Sequence, residues 1–203
     1  MFSLRAFVDH LKVMRRYFGI AFVIFAAGAF IGGTNPAFEE YLTGQIRGIQ
    51  QIGQTIDASA NPMLAMFLFI FFNNAIKSIL VMYLGALFGI LPAAFLLING
   101  MVIGYLYQVI DSQGENAAMV FLTGIAPHGI IEIPAIVIAS AYGLKFGALG
   151  LRGIGQLLLR RTGIGAEYEL LAVRSVPMMV AIVIALLIAA VIESTITVWL
   201  VGM

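Results

Sequence analysis

Residues 63–91 carry the sequence MLAMFLFIFFNNAIKSILVMYLGALFGIL, an apolar run that only Asn73, Asn74, Lys77 and Ser78 interrupt. A helix needs about 20 predominantly apolar residues to cross the hydrocarbon core of a bilayer. This run is longer than one perpendicular crossing requires. We therefore predict a transmembrane helix here that is tilted, or broken near the two asparagines.

Similar apolar runs lie on both sides of this segment, at residues 17–33, 93–110, 117–142 and 176–200. Hydrophobic residues make up 62% of the 203 residues and charged residues only 10%, whereas soluble domains typically carry about 25% charged residues. Lipid must therefore cover much of the surface. The sequence predicts an all-α integral membrane protein with about five transmembrane helices, forming a single membrane domain over residues 1–203.

Two amphipathic segments accompany the predicted spans. Residues 1–16 place apolar and basic side chains at helical spacing, which predicts an N-terminal interfacial helix lying on the membrane surface. Residues 34–62 predict an extracytoplasmic amphipathic helix bounded by Asn-Pro pairs at 35–36 and 61–62. Its apolar face consists of Leu42, Ile46, Ile49, Ile52 and Ile56. We expect this face to rest on lipid, to pack on the bundle or to bind a partner, while residues 63–203 form the core spans.

Lysine and arginine are distributed unevenly between the predicted loops. With five crossings and a cytoplasmic N-terminus, all 11 basic residues lie on the cytoplasmic side except Arg47, outside, and Lys77, within the membrane. Basic residues favour the cytoplasmic side. We therefore predict a multi-pass protein of the cell membrane with a cytoplasmic N-terminus and an extracytoplasmic C-terminus. The alternative is a re-entrant hairpin at residues 117–142, which would place Arg160 and Arg161 outside.

A small set of polar side chains falls inside the predicted spans. They are Asn73, Asn74, Lys77, Asn99, His128, Glu132 and Glu193. Ionisable groups at membrane depth are costly and usually face the bundle interior in pairs. We expect a buried pair between Lys77 and Glu132, with His128 on the same helix face as Glu132. This network would fix helix register, line a path for an ion or small solute, or bind a partner. Glu193 is expected to be structural and to reach toward the outer interface.

Residues 124–134, GIAPHGIIEIP, contain the helix-breaking residues Pro127, Gly129 and Pro134. Proline removes a backbone donor and clashes with the preceding turn, and glycine adds backbone freedom. We expect an interruption of the helix at membrane depth, of the kind that builds ion and substrate sites in transporters. The alternative is a proline kink whose backbone groups are satisfied by neighbouring helices.

Several kinds of chemistry lack support in the sequence. The chain has no cysteine, and its two histidines, His10 and His128, are far apart in the predicted topology. We therefore expect no metal site. The sequence has no phosphate-binding glycine loop and no basic tract with interleaved aromatic residues. We expect no cofactor, no nucleic-acid partner and no enzymatic activity.

Small residues recur at four-residue spacing within the predicted spans. The pairs are Gly28/Gly32, Gly85/Gly89 and Gly100/Gly104. Such pairs let two helices approach closely. They predict close helix contacts within one chain, or between copies in a homo-oligomer.

The stretch 126–134, APHGIIEIP, and the stretch 72–77, FNNAIK, together resemble the stage II sporulation protein M family, and residues 92–104 are similar to it as well. The matching motif positions are Asn73, Asn74, Pro127, His128, Gly129, Glu132 and Pro134. The resemblance implies a membrane scaffold for cell-wall-degrading partners during engulfment in spore formers, and it assigns no catalytic role to these residues. The family also occurs in organisms that never sporulate.

Two functions follow as expectations. The first is a non-enzymatic scaffold in the lipid bilayer that localises other membrane or wall-remodelling proteins of the cell envelope. The second is a transporter or channel-like component with a midplane polar site built on Lys77, His128 and Glu132.

Overall fold

The computed structural model describes residues 4–159 and 164–201, and all regular structure in these two stretches is helical. The elements are α1 (Leu4–Thr34), a 3-10 turn (Pro36–Phe38), α2 (Glu39–Asp57), α3 (Pro62–Leu84), α4 (Ile90–Ser112), α5 (Ala117–Val120), a first π segment (Phe121–Ile125), α6 (Ala126–Leu158), α7 (Ile164–Ile192), a second π segment (Glu193–Thr197) and α8 (Val198–Val201).

Five helical stretches are long and apolar enough to cross a membrane. They are Asp9–Thr34, Pro62–Leu84, Ile90–Ser112, Ala117–Gln156 and Ile164–Leu200. The prediction of an all-α membrane protein with five spans is therefore confirmed, and the chain is a multi-pass membrane protein.

The first span begins earlier than predicted, because α1 continues without interruption from Leu4 to Thr34. His10 and Met14 are buried, and the ring of His10 lies 5.6 Å from the ring of Tyr142 in α6. The prediction of a separate interfacial helix over residues 1–16 is wrong for residues 4–16. No proline interrupts this part of α1, and Leu11 and Met14 pack in the core cluster that contains Tyr142 of α6. Residues 1–3 lie outside the described residues.

The ends of α2 follow the expected capping residues. The Asn35 side chain accepts a hydrogen bond from the backbone N–H of Ala37 at 3.0 Å and so caps the 3-10 turn that precedes α2. Beyond the other end of α2, the Asn61 side chain accepts one from the backbone N–H of Leu64 at 3.1 Å and so caps the start of α3. Each cap satisfies a backbone donor that the helix itself leaves free. α2 itself ends at Asp57, before Asn61, and a short turn leads into α3.

The apolar face of α2 is divided between the bundle and the outside. Leu42 is fully buried and forms a cluster with Met101 and Tyr105 of α4. Ile46 is half-buried against the same cluster, and the hydroxyl groups of Thr43 and Tyr105 lie 2.8 Å apart. Farther along α2, the exposed fractions are 61% for Ile49 and 38% for Ile52, while Ile56 is half-buried. Of the three predicted roles, packing on the bundle therefore holds for the first part of the face.

The fourth span crosses and does not turn back. The chain stays helical from Ala117 through the first π segment to Leu158, so the alternative of a re-entrant hairpin at residues 117–142 is wrong. The basic segment that follows is also helical, with Arg152 of α6 lying 3.7 Å from Glu167 of α7. Arg160 and Arg161 lie outside the described residues.

At Pro127, Gly129 and Pro134 the structure has a π segment followed by a continuous helix instead of the predicted interruption. The π segment Phe121–Ile125 lies directly before these residues, and α6 continues through all three. The backbone N–H of Ala126 bonds to the carbonyl of Phe121, five residues back, as a π turn requires. Widening the turn accommodates the missing N–H of Pro127 without separating the helix into two pieces.

Paired glycines bring the spans into backbone contact. A Cβ on Gly28 or Gly32 of α1 would overlap the backbone of Leu97 or Met101 in α4. On the α4 side, a Cβ on Gly100 or Gly104 would overlap the backbone of Phe25 or Ala29. Gly85, directly after α3, meets Gly143 of α6 in the same way, and Gly89 lies against Gly147. The prediction that these pairs permit close approach is confirmed within the chain.

The close contact of α1 with α4 predicts a sharp effect of one methyl group. Gly32→Ala inserts that group into the Met101 backbone, and we expect it to lower the free energy of unfolding by about 1–3 kcal/mol, as overpacked cores do. Gly19→Ala is the matched control, because nothing lies within 4 Å of a Cβ at this position of α1. Thermal unfolding in detergent compares the two. Equal stability of both variants would contradict the assigned contact.

Candidate functional site

Three ionisable side chains from two spans converge in the half of the bundle where α7 ends. One ligand atom from each of His128, Glu132 and Glu193 lies within 4.8 Å of the other two. His128 and Glu132 are one turn apart on α6, and Glu193 begins the second π segment after α7. Only 12% of the His128 side chain and 24% of the Glu193 side chain is exposed. We refer to these three residues as the carboxylate–histidine cluster.

Both nitrogens of the His128 ring face polar atoms of the second π segment. The Nε2 atom lies 3.8 Å from Oε2 of Glu193, and Nδ1 lies 3.3 Å from Oγ1 of Thr197. Glu193 and Thr197 are four residues apart, so both reach the same side of the helix. The contacts with Glu193 and Thr197, one at each ring nitrogen, orient the imidazole ring.

A π segment stands beside the cluster on each of its two helices. Phe121–Ile125 precedes His128, and Glu193–Thr197 contains two of the contacting residues. The two segments also contact each other. Single π turns within helices are often found at functional sites, because the extra residue rotates the following side chains relative to the preceding ones. In this protein the two π segments rotate the helix faces only near the polar residues of the cluster.

A hydrogen-bonded pair of asparagines connects α3 to the cluster. The side-chain amide of Asn73 donates to Oδ1 of Asn74 at 3.0 Å. The Asn74 side chain also interacts with the Glu132 carboxyl. Because Oδ1 of Asn74 already accepts from Asn73, its NH₂ group is the part that suits a carboxylate. Asn73 and Asn74 therefore place polar groups of α3 opposite the Glu132 carboxyl group of α6.

A groove of about 850 Å³ lies next to the asparagine pair, between α2, α3 and α4. Its polar lining consists of Gln45, Asn73, Asn74, Lys77 and Asn99. Ile49 and Ile52 of α2 line the groove on one side, and Ile136 of α6 contributes to it as well. The remaining lining is apolar. The groove is thus an apolar space with amide groups and one ammonium group on its wall.

Lys77 does not pair with Glu132, so this prediction is wrong. In the described part of the chain, no carboxylate lies within 4.0 Å of the Lys77 ammonium. Asn74 is the α3 residue that faces Glu132, whereas the exposed side chain of Lys77 lines the groove. Residues three apart on a helix point about 60° away from each other, which is enough to separate the two directions.

The remaining predicted residues divide between the groove and the cluster. Asn99 lines the groove and donates a hydrogen bond to the backbone carbonyl of Phe95 at 2.7 Å. Glu193 turns toward His128, and the expectation that it reaches toward the outer interface stays a prediction. Thr197 was not predicted. Its signal was the short polar run 193–197, ESTIT, within an otherwise apolar span.

The cluster is suited to hold a positive charge. Two carboxylates and one imidazole meet in a region that the protein and lipid keep away from water, where like charges repel strongly. A proton or a metal cation between them removes that repulsion. The arrangement contains no cysteine or serine nucleophile among the three residues.

These features define a polytopic all-α membrane protein with an internal polar site. The chain belongs to the stage II sporulation protein M family, whose family model matches residues 17–198. The match confirms the resemblance and extends it into the N-terminal third of the chain. Comparison with curated proteins and with solved structures yields no match.

The convergence of α6 and α7 can be tested by cross-linking, because the chain has no cysteine of its own. We expect His128→Cys with Thr197→Cys to cross-link efficiently with an oxidant or a short bismaleimide. His128→Cys with Ile184→Cys is the control pair. Position 184 lies about 20 Å from position 197 along the helix, at 1.5 Å per residue. Mass spectrometry of the linked peptides gives the yields. Equal yields for both pairs would contradict the site.

Proposed function

We propose that this chain binds a small anionic solute in the groove and acts as a transporter or channel-like component, without enzymatic activity. The observation that carries the proposal is the Lys77 ammonium, which lines an apolar groove and has no ion-pair partner in the described part of the chain.

The electrostatics of the groove support an anion. A lysine within a membrane span costs several kcal/mol unless its charge is compensated, and such residues often mark solute pathways. Amide groups of Asn73, Asn99 and Gln45 line the groove with Lys77 and supply neutral hydrogen-bond donors. A volume of about 850 Å³ falls within the range of small-molecule sites, roughly 300–1,000 Å³.

The asparagine pair supports coupling between the groove and the cluster. Asn73 and Asn74 both line the groove, and Asn74 also interacts with Glu132. The Asn73 NH₂ group has a second N–H beside the one that donates to Asn74, so a solute that accepts from Asn73 binds directly to the asparagine pair. A change in the charge of Glu132 would act on the same asparagine pair through Asn74. Linked sites of this kind allow a cation or proton to influence the binding of the solute.

The proposed orientation places the N-terminus in the cytoplasm. It rests on the uneven distribution of lysine and arginine in the sequence. In this orientation α2 lies on the extracytoplasmic side of the cell membrane, at the end of the bundle that contains the carboxylate–histidine cluster.

A second candidate function is a scaffold for other membrane or wall-remodelling proteins. Family membership supports it, since the resemblance implies this role for the family's namesake. Exposed apolar side chains on α2 also support it: Tyr41 is 46% exposed and Ile49 is 61% exposed. Tyr41 does not line the groove, so the two candidate functions can be separated by mutation.

The transport proposal predicts loss of solute-driven current when the groove loses its charge. Proteoliposomes on a solid-supported membrane would be challenged with acetate, succinate and inorganic phosphate. We expect Lys77→Met to lower the response by about tenfold or more, because a hydrogen bond to a charged group contributes about 1.5–3 kcal/mol.

Lys12→Met is the matched control, since Lys12 is exposed, lies outside the groove and forms an ion pair with Asp9 at 3.0 Å. Both variants must elute from gel filtration as the unmodified chain does. A wild-type response to none of these anions, or equal responses from Lys77→Met and wild type, would refute the proposal.

The scaffold candidate predicts loss of partner recovery when the exposed side of α2 becomes polar. We expect Tyr41→Ser to reduce the recovery of an exported cell-wall hydrolase from cross-linked membranes, with unchanged levels of the chain itself. Gln50→Ser, on an exposed polar position of the same helix, should have no effect. Quantitative mass spectrometry of the purified complex measures recovery. If Tyr41→Ser recovers the same proteins as wild type, α2 is not the docking surface.

A further inference from the structure

We infer that His128, Glu132 and Glu193 form a binding site for a divalent transition-metal ion. The inference concerns the carboxylate–histidine cluster alone and does not rest on the anion proposed for the groove. Two ligands of one metal ion, each at about 2.1 Å from it, lie at most about 4.2 Å apart. Nε2 of His128 and Oε2 of Glu193 lie 3.8 Å apart, and the ligand atoms of all three residues lie within 4.8 Å of one another. Small side-chain rotations would complete a common coordination sphere.

The charges of the cluster favour a bound cation. Glu132 and Glu193 lie close together within two spans, and in the described residues no lysine or arginine lies within 4.0 Å of either carboxylate. Two neighbouring carboxylates in a region of low dielectric constant repel each other strongly when both are ionised. A divalent ion neutralises both charges at once, while a neutral imidazole completes the ligand set.

The surroundings of the ligands support the same conclusion. The Nδ1 atom of His128 is occupied by the hydroxyl of Thr197, which leaves Nε2 directed toward Glu193. Metal-binding histidines almost always have their second nitrogen held by such a partner. Asn74 of α3 faces Glu132, the second ligand, from the side of the groove. Thr197 and Asn74 are positioning residues in this arrangement.

The ligand types define the class of metal. One imidazole and two carboxylates suit Zn²⁺, Mn²⁺ and Fe²⁺, whereas Cu⁺ prefers sulfur ligands and Ca²⁺ and Mg²⁺ prefer oxygen alone. Three protein ligands leave at least one coordination position for water or an incoming group. The site is therefore built for an exchangeable ion rather than for a fully enclosed structural one.

The sequence did not reveal this site because the third ligand is distant along the chain. His128 and Glu132 share one face of α6, but a pair of ligands defines no centre. Glu193 follows about 60 residues later, and the second π segment directs it back toward His128.

Metal content of the full-length protein tests the inference. The chain would be purified in mild detergent with a tag that contains no histidine, stripped with EDTA and reloaded with Zn²⁺ or Mn²⁺. After gel filtration, inductively coupled plasma mass spectrometry should find about one ion per chain. We expect Glu193→Gln to weaken the affinity at least tenfold, since loss of a mere supporting partner already costs about 10–100-fold.

Two further variants make the result specific. Glu167→Gln removes an exposed carboxylate of α7 that contacts Arg152, and it should bind the metal as wild type does. Thr197→Val keeps nearly the same shape but removes the hydroxyl, and it should weaken binding by about 10–100-fold. The inference is overturned if wild type retains neither ion, or if Glu193→Gln and Glu167→Gln bind equally. Lys77→Met should bind metal normally whether or not it alters the response to anions.

Discussion

Close backbone contact at paired glycines is the constraint on which the rest of this structure depends. Inside a bilayer, burial of apolar side chains does not hold helices together, because lipid is equally apolar, so close packing must do so. Gly32 and Gly104 let α1 and α4 touch along their backbones, and Gly85 does the same for α3 against α6. The first contact presents Met101 and Tyr105 to Leu42, which anchors α2 beside the groove. The second fixes α3 against α6, where Asn74 reaches Glu132.

The two π segments determine which polar groups meet on this frame. A regular helix moves each side chain by about 100° from its neighbour, so the faces of α6 and α7 would be continuous from end to end. An inserted residue shifts the face locally. Glu193 and Thr197 lie within such a segment on one helix, and the other segment ends shortly before His128. The apolar faces of both helices can therefore pack elsewhere along their length while the polar side chains converge at one level.

Much of the fold was predictable from local chemistry, whereas the site depended on features that local chemistry does not encode. The five spans followed from hydropathy, and the caps at Asn35 and Asn61 followed from the preference of asparagine for helix starts. The continuous α1 was missed because an amphipathic pattern does not distinguish a lipid surface from the face of α6. The partner of Glu132 was also wrong. Helical spacing places Asn74 and Lys77 close together on α3, and only packing decides which one faces α6.

The separation of Lys77 from Glu132 is what leaves two polar sites instead of one structural ion pair. A direct pair would have satisfied both charges within the protein and left neither available to a ligand, which is the usual outcome for structural charges in a membrane. With Asn74 placed between them, the ammonium faces the groove and the carboxylate faces the cluster. Each site then has an uncompensated charge of one sign, and the signs are opposite. Retaining ionisable groups within membrane spans is costly. The proposed anion at Lys77 and the proposed cation at Glu132 and Glu193 would each supply the counterpart that the chain itself does not.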